Sequence, residues 1–125
     1  MAKILVVDDE KDIKMLFEQR FRKEIRKGEL QFKFAFSGEE ALEVLNTLEH
    51  ETVLILSDIN MPGMSGLELL ETIKKNYNDP PPVVMMVTAY GDRENYETAK
   101  KLGADDFLTK PVDFKMLKEK LNENL

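Results

Sequence analysis

Short unbroken apolar runs alternate along this chain with segments whose apolar residues recur at every third or fourth position. Ile4-Leu5-Val6-Val7, Val53-Leu54-Ile55-Leu56 and Val83-Val84-Met85-Met86-Val87 are runs of the first kind. A strand covered by helices on both faces has no polar side to show, so these runs predict central strands of a parallel sheet. Phe32-Lys33-Phe34-Ala35-Phe36 alternates instead, as a strand with one less protected face does. Phe107-Leu108 is a fifth, very short candidate, which gives three central strands and two edge strands.

The segments between them carry helical periodicity with readable ends. Ile13, Leu16, Phe17, Phe21 and Ile25 form one apolar stripe, and Gly28 can end that helix. Ser37 followed by Glu40 has the pattern of a capping box and opens a helix through Leu48. Leu67, Leu70, Ile73 and Tyr77 form a third stripe, stopped by Pro80-Pro81-Pro82 because proline has no N–H to continue the ladder. Tyr96, Ala99 and Leu102 form a fourth, closed by Gly103, and Phe114, Leu117 and Leu121 form the last. Five βα units in order predict an α/β fold, a doubly wound, flavodoxin-like (βα)5 parallel sheet with right-handed crossovers. With the alternating segments at the edges the strand order is 2-1-3-4-5. A ligand site then lies beyond the carboxyl ends of the strands, at the switch point beside strand 1.

Composition narrows the function without naming it. A chain of 125 residues, 42% apolar and 34% charged, suits one globular domain over residues 1–125 rather than two. No apolar run approaches the roughly 18–20 residues that span a bilayer, and Met1-Ala2-Lys3 lacks the layout of a secretory signal. The absence of cysteine excludes disulfide and thiolate chemistry and suits a reducing, cytoplasmic compartment. A net charge of −6 argues against gripping nucleic acid, and the lysines across 100–120, interleaved with acids, read as a solvated helical face. His50, between Glu49 and Glu51 in a predicted loop, reads as exposed, and one histidine is too few for a metal cluster.

The residues just beyond each central strand carry the chemistry. Strand 1 runs into Asp8-Asp9-Glu10, strand 3 into Ser57-Asp58, strand 4 into Thr88-Ala89 and strand 5 into Thr109-Lys110-Pro111. Taken singly these are ordinary caps: Asp8 or Asp9 could cap the first helix and Thr88 the fourth. Taken together, carboxylates gathered within a few ångströms repel one another unless a cation or proton intervenes. Magnesium is bound by one or two carboxylates plus a phosphate oxygen, and no histidine or cysteine favours zinc here. One carboxylate is then free to attack phosphorus, and Asp58 is the best placed because strand 3 is central. Lys110 and the Thr88 hydroxyl could supply donors on the side away from the metal.

In this order and spacing the residues resemble the receiver domain of two-component response regulators, from Lys3 to Leu125. The carriers are Val6-Val7-Asp8-Asp9-Glu10, the stretch Ser57-Asp58-Ile59-Asn60-Met61-Pro62-Gly63-Met64-Ser65-Gly66, Val87-Thr88-Ala89, Gly103-Ala104-Asp105-Asp106-Phe107 and Lys110-Pro111. The resemblance implies that Asp58 is the phosphorylation site. It implies Asp9, Asp58 and the Asn60 main-chain oxygen as magnesium ligands, with Asp8 acting through water. Lys110 would pair with the phosphoryl group, Lys110-Pro111 would be a cis peptide, and Thr88 and Phe107 would be the switch pair. Phe107 stands where many members have Tyr, so its readout should rest on packing. The implied readout face is built by the fourth helix, fifth strand and fifth helix, roughly Asp92 to Leu125, with Lys100, Lys101, Lys115 and Lys118.

Implied partners are a sensor histidine kinase or histidine phosphotransfer protein as donor, and a downstream protein or output domain; neither membrane nor nucleic acid is expected. The chain would be a phosphoacceptor rather than an enzyme. Monomer and phosphorylation-driven dimer both stay open. Tyr90, two residues after Thr88, either obstructs the water that hydrolyses the acyl phosphate or faces solvent without influence. Other readings compete. A degenerate receiver would serve only as an interaction module, which the full set Asp8, Asp9, Asp58, Thr88 and Lys110 argues against. A phosphatase of the haloacid dehalogenase type would need a second aspartate two residues after its nucleophile, where this chain has Asn60.

Overall fold

A computed structural model describes residues 2–48, 53–77 and 81–124. Met1, His50 with its neighbours Glu49 and Glu51, Pro80 and Leu125 lie outside the described residues. The elements are β1 (Ala2–Val7), α1 (Asp12–Arg20), α2 (Arg22–Arg26), β2 (Leu30–Ala35), α3 (Gly38–Leu48) and β3 (Val53–Asp58), followed by α4 (Gly66–Asn76), β4 (Val83–Thr88), α5 (Arg93–Lys101), β5 (Asp106–Thr109) and α6 (Phe114–Asn124). All strand pairs are parallel and form one five-stranded sheet in the order β2-β1-β3-β4-β5.

Strand alternation divides the core into two layers, because successive side chains leave opposite faces. On one face Ile4, Val6, Leu54, Leu56, Met85 and Val87 pack against Phe17, Phe21, Leu117 and Leu121, so α1, with Phe21 just after it, and α6 cover that side. On the other, Leu5, Val7, Ile55, Val84 and Met86 pack against residues of α3, α4 and α5, among them Leu45, Leu70 and Ala99. Burying each of the larger side chains stabilises the fold by about 1.5–3 kcal/mol.

The helices depart from the predicted pattern in three places. The first predicted helix is two segments: Phe21 sits between them at φ −109, ψ 22. The i→i−4 bonds continue through it, from Phe21 N–H to Phe17 and from Ile25 N–H to Phe21, both 2.9 Å. Ring packing fixes this point, since Phe21 is fully buried with its ring 5.0 Å from Phe32 and 5.8 Å from Phe17. Leu16 and Ile25, expected in the apolar stripe, are each 37% exposed, because Phe17 and Phe21 already define the inward face. In α4 the buried set is Leu69, Leu70 and Ile73, with Leu67 and Tyr77 only partly covered, and the helix ends at Asn76, before the prolines. The Ser37 reading holds: its hydroxyl accepts from Glu40 N–H at 3.0 Å.

Candidate metal and phosphoacceptor site

Parallel strands all end at the same edge, so the residues after β1, β3, β4 and β5 are gathered there. Asp58, the last residue of β3, is buried at 4% exposure, Asp8 is half-buried and Asp9 is exposed. One carboxylate oxygen from each of the three lies within 4.8 Å of the others. From the end of β5 the Lys110 ammonium donates to Asp58 Oδ2 at 2.7 Å. Asp58 Oδ1 accepts from the Ile59 N–H at 2.8 Å, so both oxygens of the buried carboxylate are engaged.

The charges respond as crowding requires. Burial holds the Asp8 carboxyl above its ordinary range and repulsion from Asp58 and Glu10 adds to this; the Glu10 N–H bond and Lys110 oppose it only in part. Partial burial works against the Lys110 ammonium, but the hydrogen bond and charge of Asp58, with Asp8 and Glu10 behind it, more than offset that and raise its pKa. Three oxygen-bearing acids in close reach, with no nitrogen or sulfur ligand among the described residues of the group, fit a hard divalent cation. Such an ion would relieve the repulsion that Lys110 offsets from one side only.

The capping alternatives do not hold. The N-cap of α1 is Lys11, with no side-chain bond, while Asp8 Oδ1 accepts from Glu10 N–H at 2.9 Å; neither aspartate caps the helix. Asp92, not Thr88, caps α5, accepting from Asn95 N–H at 3.2 Å. Thr88 is buried at the end of β4, and its hydroxyl donates across to the Leu108 carbonyl at 3.5 Å rather than toward Asp58. Phe107 is half-buried on β5, its ring centroid 4.4 Å from that of Tyr96 on α5. The Lys110-Pro111 peptide is cis. Tyr90 is 89% exposed, and Asn60 is exposed directly after the Asp58–Ile59 turn.

Two further residues hold this edge together. A Cβ on Gly66 would lie 2.0 Å from the Asp58 carbonyl oxygen and 2.7 Å from Ile59 Cα. Only glycine lets the start of α4 sit against the end of β3, where the Gly66 N–H donates to Ile59 O at 2.7 Å. Glu39 at the start of α3 accepts from the Met64 N–H at 3.2 Å, bracing the 59–65 loop from outside. Gly66 is one residue of the stretch from Ser57 to Gly66 that carries the resemblance, and Glu39 lies outside every stretch quoted for it. Contact across separate elements, which sequence does not display, gives each its role.

A family model described as response regulator receiver domain matches residues 4–122. The response regulator protein PilR of Pseudomonas aeruginosa is 39% identical over 117 residues, which cover 94% of this chain and 24% of that protein. This chain therefore spans about a quarter of that relative's length. A protein of Rhizobium etli described as probable chemotaxis protein CheY is 31% identical over 116 residues, 93% of this chain and 86% of the relative. Among solved structures, chemotaxis protein CheY4 of Vibrio cholerae superposes with a TM-score of 0.83 at 27% identity, covering 100% of this chain and 99% of that one.

Proposed function

This chain belongs to the response regulator receiver domain family, and on that premise we propose that it accepts a phosphoryl group on Asp58 and signals by a change of shape. The observation that carries the reading is the setting of Asp58: a buried carboxylate between an acidic cluster and a bonded ammonium. A carboxylate so placed is aimed by its partners, as a nucleophile needs to be.

In the transfer, an Asp58 oxygen forms a bond to phosphorus while the bond from phosphorus to the donor's nitrogen breaks. The departing imidazole of a phosphohistidine donor leaves with that electron pair. Asp9, Asp58 and the Asn60 main-chain oxygen would hold magnesium, with Asp8 acting through water, and the ion would supply positive charge near the transferring group. The modified side chain carries about −1.5 to −2 charge, which Lys110 is placed to meet from the side of β5. Thr88, now bonded toward Leu108, and Phe107, now against Tyr96, are the groups whose contacts would differ between the two states. Such differential contacts bias an existing equilibrium.

The readout surface on this view is the face formed by α5, β5 and α6. A histidine kinase or phosphotransfer protein supplies the phosphoryl group in the cytoplasm, a downstream protein or output domain reads the change, and residues 1–125 act as one receiver domain. Among the described residues no helix is long and apolar enough to cross a membrane.

Intact mass after incubation with acetyl phosphate or phosphoramidate, with and without magnesium, tests the reading on wild type and Asp58→Asn. A magnesium-dependent gain of one phosphoryl group, absent in the variant, is the expected result. A folded wild-type protein that gains nothing would instead be a degenerate receiver that acts through binding alone.

A further inference from the structure

The chain segregates its charge. Residues 20–27 hold five cations and one acid, a local charge of +4 in a chain of −6, which leaves −10 on everything else. The one acid in that stretch does not neutralise the surface: Glu24 is turned toward α6, 3.6 Å from the Lys118 ammonium, with its Oε2 buried. Arg20 lies over the Phe114 ring at 5.4 Å and is engaged there. The cations left facing outward are Arg22, Lys23, Arg26 and Lys27, all exposed and lining one open groove along α2.

Among the described residues no carboxylate pairs with any of these four. Their spacing sets Arg22 above Arg26 and Lys23 above Lys27, two like-charge pairs at i,i+4 on a helix of five residues and its C-cap Lys27, each unfavourable by itself. The end of the helix dipole favours cations within its last turn, but its effect is confined there and is weak in so short a helix. A solvated helical face needs no such clustering, and solvated faces elsewhere in this chain mix both signs. The cost of holding four unpaired cations together is recovered when an anionic partner binds.

The groove stands apart from the phosphoacceptor site. Beyond α2 the chain turns through Gly28 and Glu29 into β2, and the Glu29 carbonyl accepts from Ala2 N–H at 3.2 Å, so α2 ends where the strands begin. Asp58 lies where β3 ends, six strand residues away along the sheet, roughly 20 Å.

We propose that the cationic face of α2 is a docking surface for an acidic segment of a partner protein, working independently of Asp58. The footprint decides the class of partner. Arg22 to Lys27 spans about 7.5 Å of helix, enough for a few carboxylates and too short for the phosphate track that holds nucleic acid. The surrounding −10 charge repels a polyanion long enough to run past the four cations. A membrane surface would need an apolar face beside the cations, and Ile25 is the one large apolar residue of α2 at the surface.

The test uses the full chain and amide NMR, titrated with an end-blocked hexaglutamate peptide and with hexaglutamine as control. Phosphatidylserine vesicles and a short DNA duplex run as comparison ligands. The proteins are wild type, Asp58→Asn, and the quadruple variant Arg22→Gln, Lys23→Gln, Arg26→Gln, Lys27→Gln. Hexaglutamate is expected to shift the amides of 20–27, the control to leave them in place, and Asp58→Asn to bind like wild type. Affinity is expected to fall about tenfold in the quadruple variant, whose Tm should equal or exceed that of wild type because the like-charge pairs are gone. Should that variant not fold, Arg26→Gln with Lys27→Gln is expected to lower affinity about threefold. Shifts that spread to Lys100, Lys101 and Lys115 and survive the substitutions would overturn the proposal. So would tighter binding of vesicles or duplex than of peptide at the same residues.

Discussion

Lys110 and Asp58, from the ends of two strands separated in the sheet by β4, meet with 2.7 Å between ammonium and carboxylate. The bond joins a buried acid to a cation that is 41% exposed, and it sets a positive charge against the acids gathered at Asp58, Asp8 and Asp9. Removing the cation leaves a buried carboxylate facing other acids. Lys110→Ala is expected to lose about 1–2 kcal/mol of stability in metal-free, low-salt buffer, discounted for the exposure of the lysine. Urea denaturation checks this, and an unchanged midpoint would contradict it. Once phosphorylated, the same variant is expected not to reach the activated conformation. Full activation shifts at 104–117 in its NMR spectrum would refute that second part.

Gly66 gives a sharper steric prediction. A methyl group there would stand 2.0 Å from the Asp58 carbonyl oxygen, so Gly66→Ala forces α4 away from β3. The expected loss is about 3 kcal/mol, at the upper end for overpacking against rigid backbone. Calorimetry reads it directly, and a Tm within a degree of wild type would mean that the helix start can move freely.

Glu39 braces the loop that carries Asn60, through one bond to the Met64 N–H. Glu39→Ala is expected to weaken magnesium binding about fivefold, the equivalent of one net hydrogen bond of about 1 kcal/mol. Glu39→Gln keeps an acceptor oxygen and should bind nearly as wild type. Magnesium titration followed at the amides of 59–66 distinguishes the two, and equal behaviour of the two variants would remove the bracing role.

Asp106 sets an acid-dependent stability. Its partial burial alone would raise its pKa, but bonds from Lys120 at 2.8 Å, the Phe107 N–H and Asn124 more than offset this and hold it below the ordinary 3.8. A depressed carboxyl pKa contributes stability that is complete above about the unfolded value and fades as pH falls through the folded one. Asp106→Asn should therefore cost about 1–2 kcal/mol at pH 7, and the gap to wild type should close well below pH 3.8. A gap that persists at that acidity would point to packing rather than charge.

Much of this is legible in the chain alone because the periods are simple. An unbroken apolar run is a covered strand, and in a parallel sheet every such run ends at one edge. The residues just past the runs, Asp8, Asp9, Asp58 and Lys110, therefore belong to one place by pattern and strand direction alone. The competition between local roles is not legible. Whether Asp8 caps a helix or joins a cluster depends on where α1 starts, and whether Thr88 or Asp92 caps α5 depends on the turn between them. Leu16 and Ile25 have the right spacing for the core but lose their place to Phe17 and Phe21, whose rings pack with Phe32 and Phe114 from distant elements.

The sequence by itself determined the sheet, its order and the identity of the acids and lysine at its edge, since side-chain period and strand direction are local properties that parallel pairing only repeats. Tertiary structure alone decided three things. These are the 2.7 Å bond from Lys110 to Asp58, the closeness that forbids a side chain at Gly66, and the turning of Glu24 to Lys118, which leaves Arg22, Lys23, Arg26 and Lys27 with no carboxylate partner among the described residues. Each depends on the distance between atoms far apart in the chain, which packing fixes and local pattern cannot encode.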